Sequence, residues 1–233
     1  MSAELGIPRR EVGTLLMTFP QLMTCSLENN IKPFFDSWRH DLGLDKSQLR
    51  RMFMKFPVLL GYNMHSAIQP KIEYMNSQLG LELHEIGKIV AFCPQVLSMS
   101  LADNIKLKAE HLQGRLFLSP AKMGRLLQRM PTVFNLSLGN LERKIAFLLS
   151  EGISPHTIAS SPAALTCSLE TRIRPRYLYL KVMGLQAPAS LGSMVFPTMK
   201  NWLLQHGLIE KAFVKWCQET DYGATVVDTG VTP

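Results

Sequence analysis

Leu49-Arg50-Arg51-Met52-Phe53-Met54-Lys55-Phe56-Pro57-Val58-Leu59-Leu60 and Ile86-Gly87-Lys88-Ile89-Val90-Ala91-Phe92-Cys93-Pro94-Gln95-Val96-Leu97 are one pattern written twice, 37 residues apart. In each, apolar residues stand eight, five, four and one before the proline: Leu49, Met52, Phe53, Phe56, and Ile86, Ile89, Val90, Cys93. That i, i+3, i+4, i+7 spacing is one face of a helix. The helix must stop at the proline, which lacks an amide hydrogen and disfavours helical geometry in the residue before it. The same register recurs outward, at Val12, Leu15, Leu16, Phe19 before Pro20 and at Met123, Leu126, Leu127, Met130 before Pro131. With Pro162 the anchors are spaced 37, 37, 37 and 31, and a weaker sixth, Pro197, follows 35 later.

Each proline is followed by a short apolar turn, such as Leu22-Met23 or Val133-Phe134. Six residues after it comes Ser26, Asn63, Ser100, Ser137 or Ser168, side chains suited to cap a second helix. The core face of that longer helix stands 7, 11, 15 and 18 after the proline: Leu27, Ile31, Phe35, Trp38; Met64, Ile68, Ile72, Met75; Leu101, Ile105, Ala109, Leu112; Leu169, Ile173, Tyr177, Leu180. The fourth unit keeps this face only if one residue is deleted after Leu138. Gly43, Gly80, Gly114, Gly152 and Gly184 are placed to end the long helices in left-handed caps. Asp45 with Gln48 forms a capping box, and Ser119-Pro120 and Ser154-Pro155 mark further short-helix starts. The expectation is all-α: a solenoid of about five to six helical hairpins that bury one another's apolar faces.

With 46% hydrophobic and 18% charged residues in 233, the chain has ample material for a core. Its longest apolar runs, such as Ile145 to Leu149, are far too short to span a bilayer, so no membrane insertion is expected. The net charge is +7, with +8 on the first 199 residues and −1 on the rest, which favours polyanionic partners. Four widely separated cysteines, without a Cys-x-x-Cys pair, fit neither a zinc ribbon nor a disulfide scaffold.

The units resemble those of the mitochondrial transcription termination factor, or mTERF, family. The likeness is carried by Phe19-Pro20-Gln21-Leu22, Phe56-Pro57-Val58-Leu59-Leu60 and Cys93-Pro94-Gln95-Val96-Leu97, with the junctions Leu42-Gly43-Leu44 and Leu79-Gly80-Leu81, and it runs from about Leu5 to Phe196. The resemblance implies a superhelix of units with two α-helices and a short 3₁₀ turn each, and a basic groove for DNA or RNA. It also implies a place in mitochondria or plastids, in transcription termination or initiation, transcript processing, splicing or ribosome assembly. A transcription, splicing or ribosome-assembly protein is then a further partner, and no catalysis is expected. The chain starts inside a unit and shows no import leader, which suggests a fragment or an incomplete precursor. The expected organisation is an array over 1–199, capping helices over 200–218 and a loose tail over 219–233, in a monomer.

The register also organises the charge. Six before the proline stand Thr14, Arg51, Lys88 and Arg125, about 150° from the centre of the short helix's apolar arc and so outward. Lys55 and Arg129 lie beside that stripe. Twelve after the proline stand Lys32, Gln69, Lys106, Arg143 and Arg174, on the flank of the long helix, with Lys71 and Lys108 expected to add charge nearby. Rows of cations neutralise phosphates and release their counterions, giving affinity without sequence choice. Either row can line the groove. The alternative reading is a protein-interaction scaffold whose basic rows meet an acidic partner.

Phe35, Trp38, Phe53 and Phe56 are in core phase, and Tyr62 has apolar equivalents, so all are expected to pack. Phosphate-cradling glycine loops and a nucleophile elbow are missing, and the six histidines share no i, i+4 pair, so no cofactor or metal is expected. Glu82 and Glu85 suit a helix start.

Overall fold

Every anchor from Pro20 to Pro162 opens a 3₁₀ turn in the computed structural model: Pro20–Thr24, Pro57–Gly61, Pro94–Ser98, Pro131–Asn135 and Pro162–Thr166. The structure describes residues 7–24, 31–185 and 190–220, and every described element is helical. Short helices precede the turns: α1 (Arg9–Thr18), α3 (Lys46–Lys55), α5 (Leu83–Phe92), α7 (Pro120–Arg129) and α9 (Pro155–Ser160). Long helices follow them: α2 (Lys32–Asp41), α4 (Met64–Ile68, Gln69–Glu73 and Tyr74–Gln78 in succession), α6 (Leu101–Lys106 then Leu107–Leu116), α8 (Leu138–Ser150) and α10 (Leu169–Ile173 then Arg174–Val182). Three further helices complete the described chain, α11 (Leu191–Val195), α12 (Met199–Gln205) and α13 (Glu210–Glu219).

The chain divides into two compact bodies, residues 1–135 and 136–233. In the first, α3 packs on α5 and α5 on α7, while each of its 3₁₀ turns packs on the next. In the second, α8, α9 and α11 surround the turn at Pro162, and α10 packs on α11 and α13. The predicted faces form the cores: Leu49, Met52, Phe53, Ile86, Ile89, Val90, Met123 and Leu127 are buried, as are Ile68, Ile105, Ile145 and Ile173 of the long helices. Phe34, Phe35, Trp38 and Phe53 form one ring cluster, with centroids 4.6 Å apart for Phe34–Trp38 and for Phe35–Phe53. Phe56 and Tyr62 are half-buried.

The caps are local and fall where expected. Asn63, Ser100, Ser137 and Ser168 accept from the main-chain N–H groups of Ser66, Asp103, Asn140 and Thr171. Asp45 accepts from Gln48 at 2.8 Å, Gln48 returns the bond at 2.9 Å, and Ser119 and Ser154 cap α7 and α9. Ser26, Leu27 and Cys25, like the tail beyond residue 220, lie outside the described residues.

The odd spacing of the fourth unit has a backbone cause. α4, α6 and α10 begin with wide π turns, in which Gln69, Ile105 and Arg174 donate five residues back. A π turn accommodates one more residue than an α turn. α8 begins as ordinary α-helix, Leu141 donating to Ser137, so its core face arrives one residue sooner. The short α9, with 6 residues against 10 in α7, accounts for much of the remaining contraction to 31.

Three expectations need correction. Gly43, Gly80, Gly152 and Gly184 take positive φ as expected, but Gly114 does not; α6 runs on to Leu116, and the left-handed residue is Phe117, at φ 52°. Pro197 opens no 3₁₀ turn; Thr198 caps α12 directly. Lys71 and Lys108 are not surface charge. They are 6% and 7% exposed, and each ammonium donates to a main-chain oxygen of the following turn, at Leu97 and Phe134. Lys144 does the same to Leu165 at 2.7 Å in the second body, and Arg176 donates to Met194 and Pro197 at 2.9 and 2.8 Å. The column lies fourteen residues after the proline, thirteen in the fourth unit, and its acceptor at Leu97, Phe134 and Leu165 is the oxygen three after the next proline. The three lysines satisfy carbonyls of 3₁₀ turns, and Arg176 satisfies carbonyls at and just after the end of α11.

Candidate nucleic-acid interface

The exposed face of the short helices in the first body is set by their buried face. Positions six and two before the proline lie opposite the core residues and one helical turn apart, so they share an outer surface. On α1 they are Thr14 and Thr18, on α3 Arg51 and Lys55, on α5 Lys88 and Phe92, and on α7 Arg125 and Arg129, all exposed. Because α3 packs on α5 and α5 on α7, this surface carries five cations over three adjacent helices.

Nearby carboxylates are mostly engaged elsewhere. Glu11 takes a two-pronged bond from Arg50, whose Nε lies 2.7 Å away, and this bond holds the Glu11 carboxyl below its usual range. Glu85 accepts from the Glu82 main-chain N–H at 2.9 Å and from Gln128 at 3.0 Å; the helix-start bond leads in keeping it low. Asp45 is held low chiefly by its cap bond from Gln48. Among the described residues, no salt bridge ties down Arg51, Lys88 or Arg125. Lys55 is less available, since its ammonium donates to the Phe92 oxygen at 3.1 Å and sits 5.8 Å from the centre of that ring.

The long-helix row is divided. Lys32, half-buried, and Lys106, exposed, belong to the first body; Arg143 and Arg174 belong to the second. The Lys106 ammonium stands 5.6 Å from the Tyr74 ring centre. Arg143 is exposed at a hollow it shares with Asn140, Thr166, Ser168 and Glu170. Arg174 is half-buried, its Nε 3.3 Å from Glu170 and its guanidinium 4.9 Å from the Phe147 ring centre. The structure therefore brings together Arg51, Lys88, Arg125, Lys55 and Arg129 on one surface of the first body, while Lys32 and Lys106 lie elsewhere in that body and Arg143 and Arg174 in the second.

Sequence reasoning missed the buried cation column, although its register was a visible sign: fourteen after the proline falls among the core positions 11, 15 and 18. It also missed Gly87 and Gly124, where an added Cβ would strike the main-chain oxygens of Leu42 and Leu79. These glycines let short helices approach the ends of earlier long helices. Among the described residues, no group of three or more His, Cys, Asp or Glu could hold a metal ion. No described helix is long and apolar enough to cross a membrane.

Comparison with curated proteins returns no match. The mTERF family model matches residues 2–202, most of the chain, and the protein belongs to the mTERF family.

Proposed function

We propose that this protein is an organellar nucleic-acid-binding solenoid, of mitochondria or plastids, that regulates gene expression by occupying DNA or RNA. Transcription termination or initiation, transcript processing, splicing and ribosome assembly are the processes in which family membership would place it. The observation that carries the reading is the surface of α3, α5 and α7, where Arg51, Lys88 and Arg125 recur in register, exposed and, among the described residues, free of salt bridges. A row of cations at helical-repeat spacing meets a polyphosphate at several points at once, and its affinity comes from released counterions. Phosphate contacts position a ligand and do not select its sequence. Lys55 and Arg129 supplement the row, while Lys32, Lys106, Arg143 and Arg174 offer secondary phosphate contacts on the long helices. The proposed body plan is a repeat array over 1–199 capped by α12 and α13, acting as a monomer, with no cofactor or metal.

The test is binding to short DNA and RNA across a salt series. Reversing Arg51, Lys88 and Arg125 together to Glu should weaken binding and flatten the slope of log affinity against log salt by about 3, roughly one per lost phosphate contact. A folded triple variant with unchanged affinity and slope would remove this surface from the reading.

A further inference from the structure

One side chain on this surface does not fit its column. Two before the proline, the equivalents are Thr18, Lys55, Phe92, Arg129 and Ser160, polar except for Phe92. Phe92 is 61% exposed although it follows the buried Val90 and precedes the buried Cys93 on the same helix end. No core packing demands an aromatic residue there, and exposing one forfeits the stabilisation that burial would supply. The ring has a specific neighbour, the Lys55 ammonium, 5.8 Å from its centre and bonded to the Phe92 main-chain oxygen. Lys88 stands one turn back on α5, with Arg51 and Arg125 at the same level on the helices to either side. A flat apolar face thus sits in a field of cations.

That combination is what an unpaired nucleotide requires. A base in a duplex hides its faces in the stack, whereas a single strand offers both a free base face and adjoining phosphates. We propose that Phe92 is a stacking platform for one unpaired base, with the flanking phosphates on Lys88, Arg51 and Arg125, so that the preferred ligand is a single-stranded segment. Lys55 supports the platform by bonding the Phe92 main-chain oxygen and standing beside its ring. Every base has a face to stack, so this contact adds affinity without choosing a sequence. The inference rests on the nucleic-acid reading above and narrows it.

The experiment measures binding of wild type, Phe92→Ala, Phe92→Trp and the Arg51, Lys88, Arg125 triple reversal. The probes are roughly 12-nucleotide single strands of RNA and DNA, and the matching duplexes, across a salt series. Phe92→Ala should lower single-strand affinity roughly 5- to 150-fold, with the salt slope unchanged and duplex binding little affected. Phe92→Trp should restore it, and 2-aminopurine placed in the strand should be quenched by wild type and the Trp variant but not by the Ala variant. If wild type binds with a steep salt slope and Phe92→Ala matches it on single strands, or loses equally on duplexes, the platform is refuted while the basic surface stands. If wild type binds no probe, the nucleic-acid reading falls and takes the platform with it.

Discussion

Lys108 on α6 donates from its ammonium to the main-chain oxygen of Phe134 at 2.6 Å, 26 residues ahead, and both groups are buried. The bond joins a long helix to the turn of the next unit, as do the bonds of Lys71 and Lys144. Replacing Lys108 by Met keeps the apolar stem but strands a buried carbonyl. The expected loss is about 1–3 kcal/mol, reduced by the desolvation no longer incurred by the ammonium. Lys108→Arg, which keeps a donor as Arg176 does, should lose less. Urea unfolding of the three proteins checks this, and equal midpoints for wild type and the Met variant would show that the bond is not stabilising.

Burial holds the Lys71, Lys108 and Lys144 ammonium groups below the ordinary value of 10.5. In the window between each lowered value and 10.5, the unfolded chain binds more protons than the folded one. Stability contributed by these residues therefore rises with pH there, because folding no longer buries a charge. Cys217, pushed up to about 11 by burial, acts in the opposite sense above its ordinary 9.0, so the comparison must be differential. Stability measured against pH for wild type and a Lys71, Lys108, Lys144 triple Met variant should run parallel below the window, and wild type should gain on the variant as pH rises through it. Curves that stay parallel through the window would contradict this.

Phe117 holds φ at 52° with 81% of its surface exposed. A bulky side chain in left-handed geometry is strained, and glycine is not. Phe117→Gly should raise stability by about 0.5–1 kcal/mol after the added freedom of the unfolded chain is subtracted. Thermal unfolding decides it: a lower midpoint would mean that Phe117 makes compensating contacts.

Two helical glycines should respond in opposite directions to alanine. At Gly87 the new Cβ meets the Leu42 oxygen, main chain that cannot yield cheaply, and the expected loss is about 1–3 kcal/mol. At Gly114 nothing lies within 4 Å and φ is ordinary, so alanine should stabilise α6 by about 0.5–1 kcal/mol. Opposite shifts in melting temperature are the expected readout.

Thiol labelling of the native protein gives a further check on packing. Cys93 and Cys217 are buried and their thiols are pushed up chiefly by that burial, while Cys167 is half-buried. The thiolate is the reactive form, so Cys167 should be alkylated before the other two, as peptide mass mapping would record. Faster labelling of Cys217 would contradict the packing around α13.

The one-dimensional pattern by itself determined the paired helices of each unit, the turn positions at five prolines, the N-caps at Asn63, Ser100, Ser137 and Ser168, and the outward placement of Arg51, Lys88 and Arg125. These depend on interactions within a few residues of chain, so periodicity and capping chemistry suffice to place them. Only the tertiary structure decided which cations go inside. Lys106 and Lys108 stand two residues apart, yet one is exposed and the other is 7% exposed, because only Lys108 meets a carbonyl on the following turn. The same holds for Gly87, whose need for no side chain comes from Leu42, 45 residues earlier. Phe92 is the converse: its position on the helix was legible, but its partnership with Lys55 arises only when α3 lies against α5. Local rules act through the backbone of one unit, whereas a buried charge or a close approach is settled by what a neighbouring unit brings within hydrogen-bond or van der Waals reach.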